Sequence, residues 1–306
     1  MRAITLQELG AAPALAGDLP QPGPRPGEVL VRVRASSVNG FDKMAAAGML
    51  KGRMEYRFPV VLGKDFAGTV EAVGDGPTRL GIGDTVFGVV MKPYLRDGAW
   101  AEILAVGDQY GITWVPEGLD LPIAGALGLA GTAAVDAVDA VAPRPDETVL
   151  IAGATGGVGA LAIQYAAAAG ARVIATARPG AATDFVRQLG AAEAVDYTAD
   201  LSGQVRALAP DGVPAVVHLA GDGAQLAGLL TPDGRLASTI GFGPDQHPAA
   251  TSIMASPEPA TLDRLASDVV AGRLRVPITR RYDLAEVPQA LADFSGALGK
   301  LGITVP

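Results

Sequence analysis

The fold class predicted here is α/β plus β: a doubly wound parallel sheet with a nucleotide turn, joined to a partly open β-barrel. Three observations carry it. Apolar strand-like segments begin near Val149, Arg172, Ala194, Ala215 and Arg235, 20 to 23 residues apart, separated by alanine- and leucine-rich stretches of helical texture. That interval fits one strand, one helix and two turns, the repeat of a parallel sheet with right-handed crossovers. The run Thr148–Ala152 leads directly into Gly153-Ala-Thr-Gly156-Gly-Val-Gly159, and roughly the first 115 residues read instead as short strands broken by turn residues.

The elements justify this in order. Prolines 20, 22, 24 and 26 mark an extended lead-in to Val29–Arg34, whose apolar and charged residues alternate as in a half-buried strand. Phe66–Val73 and Thr85–Val90 are similar, with Gly-Asp turns between them. From about residue 121 the βα repeat takes over, and Leu274–Ile278 with Ile303–Val305 return to short-strand texture. The expected organisation is a β domain over 1–120, a nucleotide domain over 121–269, and a return to the first domain over 270–306.

Composition narrows the function. Of 306 residues, 32 are acidic and 24 basic, a net charge of −8 that argues against nucleic acid or an anionic membrane as partner. The most apolar stretch, Leu121–Val135, is too short and too rich in glycine and alanine to span a bilayer, and Met1–Glu8 has no apolar signal core, so a cytoplasmic protein is expected. Cysteine is absent, which removes disulfides, thiol catalysis and thiolate zinc sites. With only His218 and His247, no three-histidine metal site can form, and the expected metal set is none.

The glycine turn offers chemistry that its residue types explain. Glycines allow a tight turn and close backbone approach to a pyrophosphate, and the following helix presents unpaired N–H groups to the anion. A glycine-rich strand-to-helix turn is alternatively a purely structural connection. The second strand of the series, Arg172–Ala177, ends without the acidic residue that would accept hydrogen bonds from both ribose hydroxyls and repel a 2′-phosphate. Arg178 follows it: either a phosphate contact, which would select NADPH, or a solvated loop arginine.

Several segments together resemble the medium-chain dehydrogenase/reductase superfamily in its zinc-independent, quinone oxidoreductase branch. They are Ser37–Asp42, Leu62–Gly74, Val149–Gly159, Leu189–Ala191 and Asp283–Leu291, in the family's order over nearly the whole chain. The resemblance implies a GroES-like domain built from both termini, a Rossmann domain between, an active site in the cleft, and a homodimer. Metal-dependent members carry Gly-His-Glu where this chain reads Gly63-Lys64-Asp65, so zinc-assisted alcohol oxidation is not expected.

For the cofactor, NADPH, the resemblance implies Thr132, Gly153, Thr155, Gly156, Gly157, Val158, Gly159, Arg178, Tyr197, Gly241 and Phe242. Thr132 is alternatively a buried hydroxyl bonded within its own helix. A lysine common in the family is Ala182 here, leaving more of the phosphate contact to Arg178.

Around the nicotinamide and a small electrophilic acceptor the resemblance places Lys64, Asn39 and Asp42. Asn39 either donates to a carbonyl or pins a loop. Lys64 either stabilises a developing oxyanion or forms an ion pair with Asp42 or Asp65. Tyrosines that line the acceptor site in the branch are Met44 and Leu50 here, which implies a more aliphatic pocket; Tyr56, Phe58, Tyr94 and Trp100 either refill it or belong to the core. His218 reads as a structural histidine. The expected reaction is hydride transfer from NADPH to a quinone or α,β-unsaturated carbonyl. An enoyl-thioester reductase and a non-enzymatic NADPH-binding redox sensor are the alternatives.

Overall fold

The computed structural model describes residues 1–306, which divide into two compact units, Met1–Leu129 with Pro257–Pro306, and Ala130–Ser256. The first unit opens with ten strands: β1 (Ala3–Leu6), β2 (Ala14–Ala16), β3 (Glu28–Val38), β4 (Glu55–Tyr56), β5 (Val60–Val61), β6 (Asp65–Val73), β7 (Thr85–Val89), β8 (Tyr94–Leu95), β9 (Ile103–Gly107) and β10 (Ile112–Trp114). Helix α1 (Gly40–Ala46) follows β3, and the single turn α2 (Leu121–Ala124) follows β10.

Helix α3 (Gly128–Val141), whose first two residues still belong to the first unit, leads into the second, where β11 (Thr148–Ala152), α4 (Gly157–Ala168), β12 (Arg172–Thr176), α5 (Ala181–Gln188), β13 (Glu193–Val195) and α6 (Leu201–Leu208) follow. Then come β14 (Val213–His218), α7 (Gly223–Ala227), β15 (Leu230–Ser238) and β16 (Ala250–Ser252). The chain returns to the first unit with α8 (Pro259–Val270), β17 (Ile278–Asp283), α9 (Val287–Asp293) and β18 (Lys300–Thr304).

β3 organises the first unit. Its outer half alternates, burying Val29, Val31 and Val33, and it carries β9 on one side and β6 on the other. Its inner half, Ala35–Val38, is buried throughout and pairs with β18, Val38 opposite Leu301. The sheet runs β10-β7-β6-β3-β18-β17, with β9 on β3 and a separate three-stranded sheet β2-β1-β5. The core beneath it holds Phe66, Trp100, Leu104 and Ile303, each large buried side chain contributing about 1.5–3 kcal/mol by transfer from water.

The second unit is a six-stranded sheet ordered β13-β12-β11-β14-β15-β16, with every pairing parallel. The order reverses beside β11, the switch point at whose carboxyl end such sheets bind ligands. The sixth strand, β16, has no apolar run to announce it, and only Ala250 of its three residues is buried.

The unit boundaries lie at 129/130 and 256/257, inside the span expected for the nucleotide domain. Packing explains both ends. Residues of α2 pack on β3, β6 and β18. Within α8, Asp263 accepts the Thr113 hydroxyl at 2.6 Å, while Gly111 N–H donates to the Pro257 carbonyl at 3.1 Å, tying this helix to β10. Near the carboxyl end, β17 starts only at Ile278, after Pro277, which lacks the N–H that a strand needs.

Candidate functional site

The glycine turn forms a tight backbone cradle at the switch point. Gly153 has φ +82°, and a Cβ at Gly159 would lie 2.4 Å from the Gly153 carbonyl oxygen, so no side chain fits where the helix start folds back on the turn. Gly156 precedes α4 in extended geometry with no side-chain cap, leaving the first N–H groups of α4 for an anion. Thr155, Gly156, Gly157 and Val158 are part-exposed, and the Thr176 hydroxyl accepts Gly153 N–H at 3.0 Å, joining the turn to the end of β12.

Arg178, two residues beyond β12, is exposed, and no carboxylate lies within ion-pairing distance of it. Its guanidinium carbon sits 5.6 Å from the centre of the Tyr197 ring, and Tyr197 is itself 47% exposed. Residues far apart in sequence thus present a cation over an open aromatic face. Gly241 has φ +87°, and Phe242 meets the His218 ring edge-on at 5.8 Å. His218 is buried, its Nε2 against the Gly221 carbonyl at 3.2 Å, and burial pushes its pKa down. Thr132 is fully buried within α3. The glycine turn and the open N-terminus of α4 fit the pyrophosphate of a nicotinamide dinucleotide.

In the first unit, Gly63 sets the direction of Lys64. Its φ is +100°, and a Cβ there would meet the Trp100 backbone nitrogen at 2.7 Å, so only glycine turns the chain here. Lys64 Nζ then donates to the Val90 carbonyl and lies 5.0 Å from the centre of the Phe41 ring. No carboxylate comes within ion-pairing distance of Lys64: the expected pair with Asp42 or Asp65 does not form. Burial lowers the Lys64 pKa, against the opposing pull of Asp42 and Asp65. Lys64 and Asp42 line a small cavity with Phe41, Leu62, Tyr94 and Leu95.

Asp65 points the other way, into a buried polar cluster. Its Oδ2 accepts from the Ser37 hydroxyl at 2.6 Å, Asn39 Nδ2 at 2.9 Å and Lys300 Nζ at 3.3 Å, while Oδ1 accepts Leu129 N–H at 2.7 Å. Asn39 also donates its backbone N–H to Asp42 Oδ2 at 2.9 Å and its amide to the same oxygen at 3.4 Å. Both amide donors of Asn39 are therefore taken by carboxylates, and the loop-pinning role is the one its geometry displays. Asp42, 1% exposed, has its pKa raised to about 7, first by burial and then by Asp65, with Asn39, Lys300 and Lys64 opposing.

Two further side chains differ from expectation. Leu50 is 7% exposed and belongs to the apolar core, while Met44 sits outward on α1 at 38%. Neither lines the cavity, because α1 turns Phe41 toward it. Of the aromatic candidates Tyr94 lines the cavity, Trp100 is core, and Tyr56 stacks on Phe58. Sequence reasoning missed Lys300 altogether. The available signal was a lysine within the otherwise apolar Leu298–Val305 run.

Residues 25–146 match the family described as alcohol dehydrogenase GroES-like domain, and residues 157–271 the one described as zinc-binding dehydrogenase. A Bacillus subtilis protein bearing the name quinone oxidoreductase YhfP is 30% identical over 300 residues, 90% of this chain and 88% of that protein. The chain belongs to the medium-chain dehydrogenase/reductase superfamily, in its quinone oxidoreductase branch.

It is an oxidoreductase with a GroES-like and a Rossmann domain. A mycocerosic acid synthase-like polyketide synthase of Mycobacterium tuberculosis is 35% identical over 309 residues, 92% of this chain, which spans only 14% of that protein's length. A quinone oxidoreductase structure from Coxiella burnetii superposes with TM-score 0.88 at 29% identity, covering 100% of this chain and 99% of that one. Mycobacterial Rv1454c, solved in complex with NADPH, gives 0.86 at 26%, with 99% of each chain covered.

Zinc stands in one family description, but the donors here do not suit it. There is no cysteine, and no three His, Asp or Glu side chains converge as a cation site. No helix is long and apolar enough to cross a membrane.

Proposed function

We propose that this oxidoreductase transfers hydride from NADPH to a quinone or α,β-unsaturated carbonyl without zinc. The observation that carries the reading is Lys64: a half-buried ammonium, with no carboxylate in ion-pairing distance, lining a small cavity beside Phe41, Leu62 and Leu95. NADPH supplies two electrons and one hydrogen as hydride from C4 of its ring. The acceptor oxygen gains negative charge, and a cation held ready in a poorly solvated pocket stabilises it strongly. Lys64 donates the proton that completes the hydroquinone or saturated carbonyl. Asp42 in the same cavity wall, exchanging protons near neutral pH, restores it.

The glycine turn would hold the pyrophosphate on the α4 N-terminus, and Arg178 with Tyr197 would hold the 2′-phosphate and the adjoining base. Rv1454c, with NADPH bound, supports this choice of cofactor. The polyketide synthase relative favours an enoyl thioester as one activated alkene to include.

A homodimer is supported by the free edge of β16, flanked by Ile240 at 53% and Met254 at 90% exposure. Sedimentation of the wild type against I240D/M254D tests it, with a dimer expected only for the wild type.

NADPH consumption measured against quinones, enals, enones and enoyl thioesters, with NADH as control, tests function. Turnover of at least one class with NADPH preferred is the expected result. Tight NADPH binding with no turnover on any class would identify a sensor instead.

A further inference from the structure

We propose that Lys300 is a positioning residue: from β18 its buried ammonium orients Asn39 and Asp65 and so governs proton exchange at Asp42. The inference rests on the reading of Asp42 and Lys64 as the proton-handling pair.

Lys300 is 2% exposed, yet all three of its N–H directions are used: Asn39 Oδ1 at 2.5 Å, the Val38 carbonyl at 3.3 Å and Asp65 Oδ2 at 3.3 Å. A side-chain amide that accepts from an ammonium must turn its NH2 away from it. Lys300 therefore reinforces the orientation of Asn39 that Asp65 and Asp42 also select. Without the ammonium, Asn39 Oδ1 loses its donor, and only the two carboxylates still favour the observed orientation. The flipped form would aim an oxygen at two carboxylates.

Electrostatics add a second lever. The groups facing Asp42 are Asp65 from β6, Lys300 from β18 and Lys64 from the turn before β6; Lys92, Arg96 and Asp97 complete the charged lining of the cavity. Lys300 neutralises Asp65 across 3.3 Å, in a cluster that water does not reach. Removing its charge exposes Asp42 to an uncompensated carboxylate, and a buried carboxyl facing a like charge holds its proton to higher pH.

The test is a carboxyl-carbon NMR titration of full-length protein labelled in aspartate, with D42N assigning the Asp42 resonance. In K300M the Asp42 midpoint is expected to rise by about 1 pH unit or more. An unmoved midpoint with only a lower melting temperature would make Lys300 purely structural and overturn the proposal.

If K300M does not fold, D65N/K300M removes both charges. Read against D65N, loss of the ammonium in D65N/K300M is expected to raise the Asp42 midpoint, and equal midpoints in the two variants would again overturn the proposal. Neither titration needs turnover, so an enzyme inactive on every acceptor would count against the proposed reaction and leave the positioning role standing. Where turnover is seen, the limb of the pH–rate profile that D42N abolishes should follow the NMR midpoint in K300M.

Discussion

The anion cradle of the second unit is made of backbone: seven consecutive residues, four of them glycine, with the first N–H groups of α4 as its donors. The cluster of the first unit is made of side chains brought from Ser37, Asn39, Asp42, Asp65 and Lys300, Asn39 and Lys300 being bonded across 261 residues. The first arrangement depends on atoms being absent, the second on every buried polar atom finding its partner. A cradle of this kind fails by steric entry, and a buried cluster fails by loss of a charge. The two therefore answer to different substitutions and different observables.

The largest break should come from the cluster. D65N leaves the Lys300 ammonium buried without its counter-ion, and removing one partner of a buried pair costs about 3–5 kcal/mol. Denaturant unfolding should show that loss, while the second unit, which contains none of these residues, retains its secondary structure. K64M should act on turnover instead, lowering kcat about 100- to 1,000-fold, the loss typical when one oxyanion donor is removed, with little change in melting temperature. A melting-temperature collapse without a specific loss of kcat would make Lys64 structural.

In the cradle, G159V should weaken NADPH binding by about 100-fold, or ~2.7 kcal/mol, read by fluorescence titration, with the cluster unaffected. R178D should raise the KM for NADPH by about tenfold and change that for NADH little; equal effects on both would remove the 2′-phosphate assignment.

The pH dependence of stability separates the two regions again. Asp42 is raised from 3.8 to about 7 in the folded protein, so the native state binds its proton more tightly than the unfolded chain. Stability from this group is present below the unfolded value and is lost as pH rises through about 7. D42N should remove that slope, and a slope unchanged by D42N would assign it to another group.

The same contrast explains what could be read beforehand. Gly153–Gly159 was legible because its meaning is local: strand, glycines and helix follow one another in the sequence. Four of the five strand starts of the second unit were legible for the same reason. The fifth strand, β15, begins at Leu230, ahead of the expected Arg235, with Pro232, Asp233 and Gly234 reading as a turn inside it. β16, three residues with one buried side chain, carries no periodic signal. Lys64 stood out because of Gly63 and Asp65 on either side. Its actual neighbours did not, since Val90 reaches it through sheet pairing and Phe41 through the turn of α1. Lys300 was overlooked because a lysine opening a short strand is ordinarily solvated, so its apolar surroundings in the sequence are a weak signal, and the pairing of β18 with β3 carries it inside. Leu50 was misplaced as a pocket residue because alignment with a tyrosine conveys position along a chain and not the direction of a side chain.

The register between Val38 and Leu301 also sets an order of events during synthesis. Residues 130–256 can close their parallel sheet as soon as they have left the ribosome, for every strand of it is local to that segment. The first unit begins earlier and must finish later. Until residue 300 emerges, β3 lacks its inner neighbour and Asp65 has no cation to meet it. Until then the inner half of β3 is an open sheet edge beside a carboxylate that still lacks its cation.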